Sequence, residues 1–130
     1  MNKSKLLFVI SIIILLSGIF LYNYMYKDHR NINEEDALYT LESIDLIKEF
    51  SMDINASVTK YLDKTIEVKG LVTEKEKDNF TLGENIICYT DSVTLLQVLK
   101  NKVVIVKGRS IGYDELLDLI KIDQVSIIND

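Results

Sequence analysis

In "TIEVKGLVTEKEKDNFTLGENIICYT", residues 65–90, apolar residues recur with a period of two. Ile66, Val68 and Val72 share one side of an alternating segment, the spacing of a strand with one face buried. Charged and turn-forming residues at Lys77–Asn79 end it, Phe80 and Leu82 resume the alternation, and Gly83–Asn85 turn the chain again into Ile86–Tyr89. Three short antiparallel strands are predicted. Gly70, inside the first, marks a place where a missing side chain lets a strand bend sharply.

Upstream the period lengthens. Asn33 is a candidate N-cap followed by Glu34, Glu35 and Asp36, an acidic first turn that suits the helix dipole. Ala37, Leu41, Ile44, Ile47 and Phe50 then recur at steps of three and four, predicting a helix over about 34–50. Asp53 can cap a second, shorter helix whose Ile54, Val58, Tyr61 and Leu62 share a face. Downstream, Asp91 or Ser92 can cap a brief helix with Leu95, Leu96 and Leu99 as its apolar face. A fourth strand is read at Lys102–Gly108, then a loop "RSIGYDE" in which Gly108 and Gly112 allow a wide turn, then a fifth strand over about Leu117–Ile128. In that last strand Ile120 and Ile122 keep one phase and Val125 and Ile127 another, the shift a β-bulge at Asp123–Gln124 would produce.

Strand, strand, strand, short helix, strand, strand is the order of the OB-fold, a five-stranded, partly open Greek-key barrel. The predicted class is therefore mainly β with helices (α+β). "YLDKTIEVKGLVT", "IICYT" and "LKNKVVIVKGRSIGYDELLDLIKIDQVSII", with the helical "DINASVTKY" before them, resemble the tRNA-anticodon-like OB-fold family over about residues 54–130. Gly108, Gly112, Tyr113, Asp114, Leu116 and Leu117 carry the most specific part of that resemblance. It implies a small bacterial OB-fold domain behind an N-terminal membrane segment and supplies no catalytic or binding residues.

The chain begins with such a segment. "LLFVISIIILLSGIFLYNYMY", Leu6–Tyr26, runs 21 residues without a charge. At about 1.5 Å per residue that crosses a hydrocarbon core of about 30 Å. Tyr22, Tyr24 and Tyr26 crowd the far end, where amphipathic rings favour the interface, with Lys27 and Arg30 beyond and Lys3 and Lys5 before. "LLSG" resembles the start of a lipoprotein signal, but Ile19 stands where the lipidated Cys belongs. The expected organisation is an N-terminal tail (1–5), a transmembrane anchor or uncleaved signal through which the chain meets the bilayer (6–26), a juxtamembrane and helical segment (27–62) and the barrel (63–130). The expected topology is single-pass, N-terminus cytoplasmic, with the C-terminal domain extracytoplasmic.

Composition narrows the chemistry. Beyond the anchor, 13 Lys and Arg face 20 Asp and Glu, a net of −7. Such a domain does not attract polyanions in bulk, so nucleic acid is a possible but not a favoured partner, behind another envelope protein. The single Cys88 excludes an intramolecular disulfide, and the single His29 lies just after the anchor, which removes the usual general base from the folded part. Neither catalytic residues nor a metal site nor a cofactor is expected, and the run Asp114, Glu115, Asp118 reads as a solvated face. The reading is a membrane-anchored binding or interaction module without catalytic activity. Its alternative is a single-stranded nucleic-acid binder, which would stack bases on aromatics and meet phosphates with cations. For either ligand the candidate face is Lys69, Tyr89, Lys107, Arg109 and Tyr113, with Phe80 as a further stacking ring and Tyr113 capping one mouth of the barrel.

Overall fold

A computed structural model describes residues 2–26 and 31–128, in two compact units that divide between residues 30 and 31. The first unit contains helix α1, Lys3–Met25, none of whose residues is buried. Among the described residues it is the one helix long and apolar enough, by length and composition, to cross a membrane. Tyr22 and Tyr26 lie one turn apart at its end, ring centroids 4.6 Å from each other. Lys27 and Arg30, used above for the flanking charge, and His29 lie outside the described residues.

The second unit is a closed barrel. The strands are β2 (Thr65–Lys75), β3 (Asn79–Leu82), β4 (Ile86–Tyr89), β5 (Val103–Asp114) and β6 (Leu119–Ile128). β2 pairs antiparallel with β3, β3 with β4 and β5 with β6, while β4 and β6 run parallel. The second edge of β2 pairs antiparallel with β5 and closes the ring. This is the OB-fold topology the element order predicted. Alternation fills the interior as expected, with Ile66, Val68, Val72, Phe80, Leu82, Ile86, Val106, Ile120 and Ile122 all at 1% exposure or less. Helix α4, Ser92–Leu96, is capped by Asp91, whose carboxylate accepts from the Thr94 amide at 2.6 Å. Its buried face is Leu95 with Val98 beyond its end; Leu96 and Leu99 are exposed, so the face lies one step away from the one the leucines suggested.

The largest correction falls on residues 34–50. They do not form one helix. A 3-10 turn, Ile32–Glu34, capped by the Asn31 side chain, comes first. Strand β1, Tyr39–Glu42, follows and pairs parallel with β2, and only then does α2, Ser43–Met52, begin. Tyr39–Glu42 alternates as well as it repeats every three or four, and pairing with β2 overrides the helical reading. The cap is Asn31 and not the expected Asn33, whose amide donates to the Asn31 side chain at 3.2 Å, and the Glu35 carboxylate accepts from the Thr65 hydroxyl at 2.7 Å. Helix α3, Ile54–Tyr61, forms as predicted, with the Asp53 carboxylate on the Ala56 amide at 3.0 Å, although Leu62 is exposed.

Two glycine roles also change. β2 breaks register between Val72 and Glu74, not at Gly70. A Cβ on Gly70 would lie 2.7 Å from Ser43 Oγ, so the glycine lets the first residue of α2 sit on the strand. Gly108 and Gly112 are not in a turn: β5 runs on to Asp114, and residues 115–118 make the hairpin. Both mark irregularities in β5, where register shifts fall between Lys107 and Arg109 and between Ser110 and Gly112. The first is the bulge expected at Asp123–Gln124, with Gln124 at φ +49°.

Candidate functional site

Alternation along β2 and β5 turns Lys69, Lys107 and Arg109 away from the core. The ladder sets Lys69 beside Ile105, Glu67 beside Lys107 and Thr65 beside Arg109, so the three cations occupy one stripe of the outer surface. Two of them are tied down within the domain. The Arg109 guanidinium forks onto Asp123, with Nε 3.0 Å from Oδ1 and Nη2 2.6 Å from Oδ2, and its Nη1 lies 3.8 Å from Asp63. Such a bidentate pair fixes both groups. Lys107 Nζ donates to the Asn33 carbonyl at 2.9 Å. Lys69 lines a cleft of about 340 Å³ in which Glu42, Asp45 and Glu67 supply three carboxylates.

The aromatics separate. Tyr113 pairs in register with Ile120, and Ile120 with Ile86; Tyr89 lies three residues further along β4, about 10 Å towards the other end. Tyr89 borders an open cleft of about 410 Å³ with Asn33, Thr90 and Gln124. Tyr113 stacks on Phe50 at 5.6 Å, Phe50 on Tyr61 at 6.2 Å, and Tyr61 meets Tyr39 edge-on at 5.1 Å. That aromatic chain links β5, α2, α3 and β1 through Tyr113, Phe50, Tyr61 and Tyr39. Phe80 is wholly buried and cannot stack on a ligand.

The acidic run is occupied by its own loop. Asp114 Oδ1 accepts from the amides of Leu116 at 3.0 Å and Leu117 at 3.1 Å, its other oxygen lies 3.6 Å from Lys121, and Tyr113 donates to Asp118. The amide bonds, chiefly that from Leu117, and Lys121 hold the Asp114 carboxyl below the usual carboxylate range. Among the described residues no three His, Cys, Asp or Glu converge as a metal site would need. Cys88 is fully buried, and burial pushes its thiol far above the ordinary value. A thiol kept neutral there is inert.

The hydrogen bond to Asp118, then partial desolvation and the neighbouring acids, push the Tyr113 phenol up to about 12. A raised folded value favours the neutral form. Its contribution to stability is complete below the unfolded value of about 10 and is lost as pH rises through about 12. Phenolate absorbance should show one tyrosine fewer titrating near pH 10 than in Asp118→Asn, with Tyr113→Phe identifying the signal. If Tyr113 titrates near 10 in the unaltered chain, the Asp118 contact is wrong.

A second group of residues escaped the sequence reading. Lys60 Nζ lies 3.1 Å from Glu49 Oε2 and about 5 Å from the ring centroids of Tyr39 and Tyr61, while the Tyr61 hydroxyl donates to the same Glu49 oxygen at 2.8 Å. Tyr61 and Glu49 raise the Lys60 ammonium above its ordinary range, and burial followed by Glu49 raises Tyr61. They border a cleft of about 480 Å³ beside β1. The available signal was the alternation in "YTLE", hidden by a competing helical period.

Comparison with known proteins agrees with the barrel. The family model described as tRNA_anti-like matches residues 1–118. A crystal structure of a candidate nucleic acid-binding lipoprotein from Klebsiella pneumoniae subsp. pneumoniae superposes with a TM-score of 0.57 at 11% identity, covering 69% of this chain and 91% of that one. At that identity the likeness shows the fold alone. No curated protein matches.

Proposed function

Because the chain belongs to the tRNA_anti-like family, we propose that it is a membrane-anchored OB-fold module without catalytic activity, its barrel outside the cytoplasm and its ligand a protein. One observation carries the choice of ligand: two cations of the candidate face are engaged within the domain, Arg109 by the Asp123 carboxylate and Lys107 by the Asn33 carbonyl, and the third, Lys69, shares its cleft with three carboxylates. A groove that tracks a phosphate backbone needs cations available to displace counterions, and the net charge of the chain opposes that approach. The apolar α1 supports the anchor. The absence of a histidine in the barrel and the inert thiol support a non-enzymatic role.

The second reading, single-strand binding, is favoured by the description given to the Klebsiella protein of the same fold. The two separate in one titration of labelled single-stranded oligonucleotides against the full chain in zwitterionic micelles. The expected result is no saturable binding at about 50 mM salt, unchanged by Lys107→Ala with Arg109→Ala. Affinity that falls steeply with salt, by about 0.7 in log Kd for each phosphate contacted and tenfold in salt, and that those substitutions remove, would establish the nucleic-acid reading instead. Reporters fused after residue 130 test the address, with activity expected only from the one that works outside the cytoplasm.

A further inference from the structure

β1 is a strand with an unused edge. Among the described residues it pairs with β2 alone, Tyr39 with Ile66 through Glu42 with Lys69, and stands at the end of the strand order. An edge strand presents a row of backbone donors and acceptors to whatever extended chain comes beside it, and proteins usually blunt such edges. Here the edge is flanked by depressions. Side chains alternate across a strand, so Tyr39 and Leu41 fall on one face of β1, Thr40 and Glu42 on the other. Tyr39 and Leu41 border the cleft of about 480 Å³, with Met52, Tyr61, Lys48 and Lys60. Thr40 and Glu42 border the cleft of about 340 Å³, with Asp45, Glu67, Lys69 and Ile105. Thr40, Leu41 and Asp45 line both, so the two meet at the strand.

We infer that β1 is a docking edge for an extended peptide of a partner protein, which adds as a further strand and sends alternate side chains into the two clefts. This rests on the reading of the chain as a protein-binding module and names the site and the peptide chemistry. Main-chain hydrogen bonds along the edge supply affinity, and the clefts supply selectivity. The first cleft is apolar and aromatic, with Met52 77% exposed and Tyr39 36% exposed, and its charges balance, Lys48 and Lys60 against Asp45 and Glu49. It takes an apolar or aromatic side chain. The second holds three carboxylates against Lys69 and takes a lysine or arginine. The recognised segment therefore alternates apolar and basic residues over the span that four residues of β1 can pair. An acidic domain attracts such a segment and repels a polyanion.

The test uses the peptide, which leaves the protein untouched. A synthetic peptide of about seven residues alternating Val and Lys is titrated into the full isotope-labelled chain in zwitterionic micelles, following backbone amide shifts. Two further peptides carry N-methyl groups on alternate amides, one in each phase. Strand addition faces only one set of amides towards β1, so one phase is expected to abolish binding and the other to retain it, with shifts centred on residues 39–42. Glu42→Gln with Glu67→Gln should weaken the unmodified peptide about tenfold, roughly two exposed ion pairs. Equal binding of both N-methyl phases, shifts centred away from β1, or no shift at about 1 mM peptide each overturns the assignment. A parallel titration with a single-stranded oligonucleotide separates the failures. If neither ligand binds, the edge assignment alone falls. If the oligonucleotide binds with steep salt dependence, the protein-binding reading falls with it.

Discussion

Gly108→Val is expected to abolish the cooperative melting of the barrel, or to lower its midpoint by about 15 °C or more. A Cβ at Gly108 would lie 2.6 Å from Ile122 Cγ2, 2.8 Å from the Asp123 carbonyl oxygen and 2.9 Å from Val125 Cγ2. The valine adds two further carbons in that space. None of the three neighbours is placed to retreat. Ile122 is paired with Ser110, Asp123 is forked by Arg109, and the Val125 carbonyl accepts from the Thr90 hydroxyl at 2.7 Å. Overpacking against side chains costs about 1–3 kcal/mol where they can shift, and more where a backbone oxygen is in the way. A small domain has about 5–15 kcal/mol in total, and each kcal/mol moves the midpoint by about 4–8 °C. Thermal melting followed by circular dichroism measures it. A midpoint within about 2 °C of the unaltered chain would mean that the bulge does not bring β6 against Gly108.

That bulge was legible from residues 117–128 because a shift of phase in a period-two pattern has one simple structural cause. The same logic recovered β2, β3 and β4, whose buried apolar residues Ile66, Val68 and Val72, Phe80 and Leu82, and Ile86 and Cys88 keep a period of two. Illegibility began where pairing is distant or where two periods fit. β1 is four residues long and finds its partner β2 beyond two intervening helices, so its brief alternation could not be told from the helical period that also fits it. In α4 every leucine looked equivalent, and burial chose Leu95 and Val98 through the tertiary path. For the candidate face, alternation correctly turned Lys69, Lys107 and Arg109 outward, but their partners were not readable. Asp123 sits across a bulged ladder, and the group that holds Lys107 is a backbone carbonyl 74 positions away. A charge is visible in a sequence; the distant backbone atom that anchors it is not.

Replacing Leu46 by Ala should cost about 2–5 kcal/mol, whereas Ile44→Ala should fall within about 0.5 kcal/mol of no effect. Leu46 is fully buried, Phe50 is 2% exposed and Ile44 is 72% exposed. The two positions lie about 200° apart on a helix of 3.6 residues per turn, so one change cannot stand in for the other. A continuous helix over 34–50 would place Ile44 in the apolar stripe with Leu41 and Ile47. β1 ends at Glu42, however, and α2 begins at Ser43, packed on Gly70, which turns Leu46 inward in place of Ile44 while Phe50 stays buried as the stripe required and Ile47 packs against the core. Chemical denaturation of both variants reads the difference directly. Equal losses at the two positions would restore the single stripe and remove β1 together with its open edge. A loss at Leu46 alone ties the helix phase to the strand before it, and so ties the docking edge to the core that holds it in place.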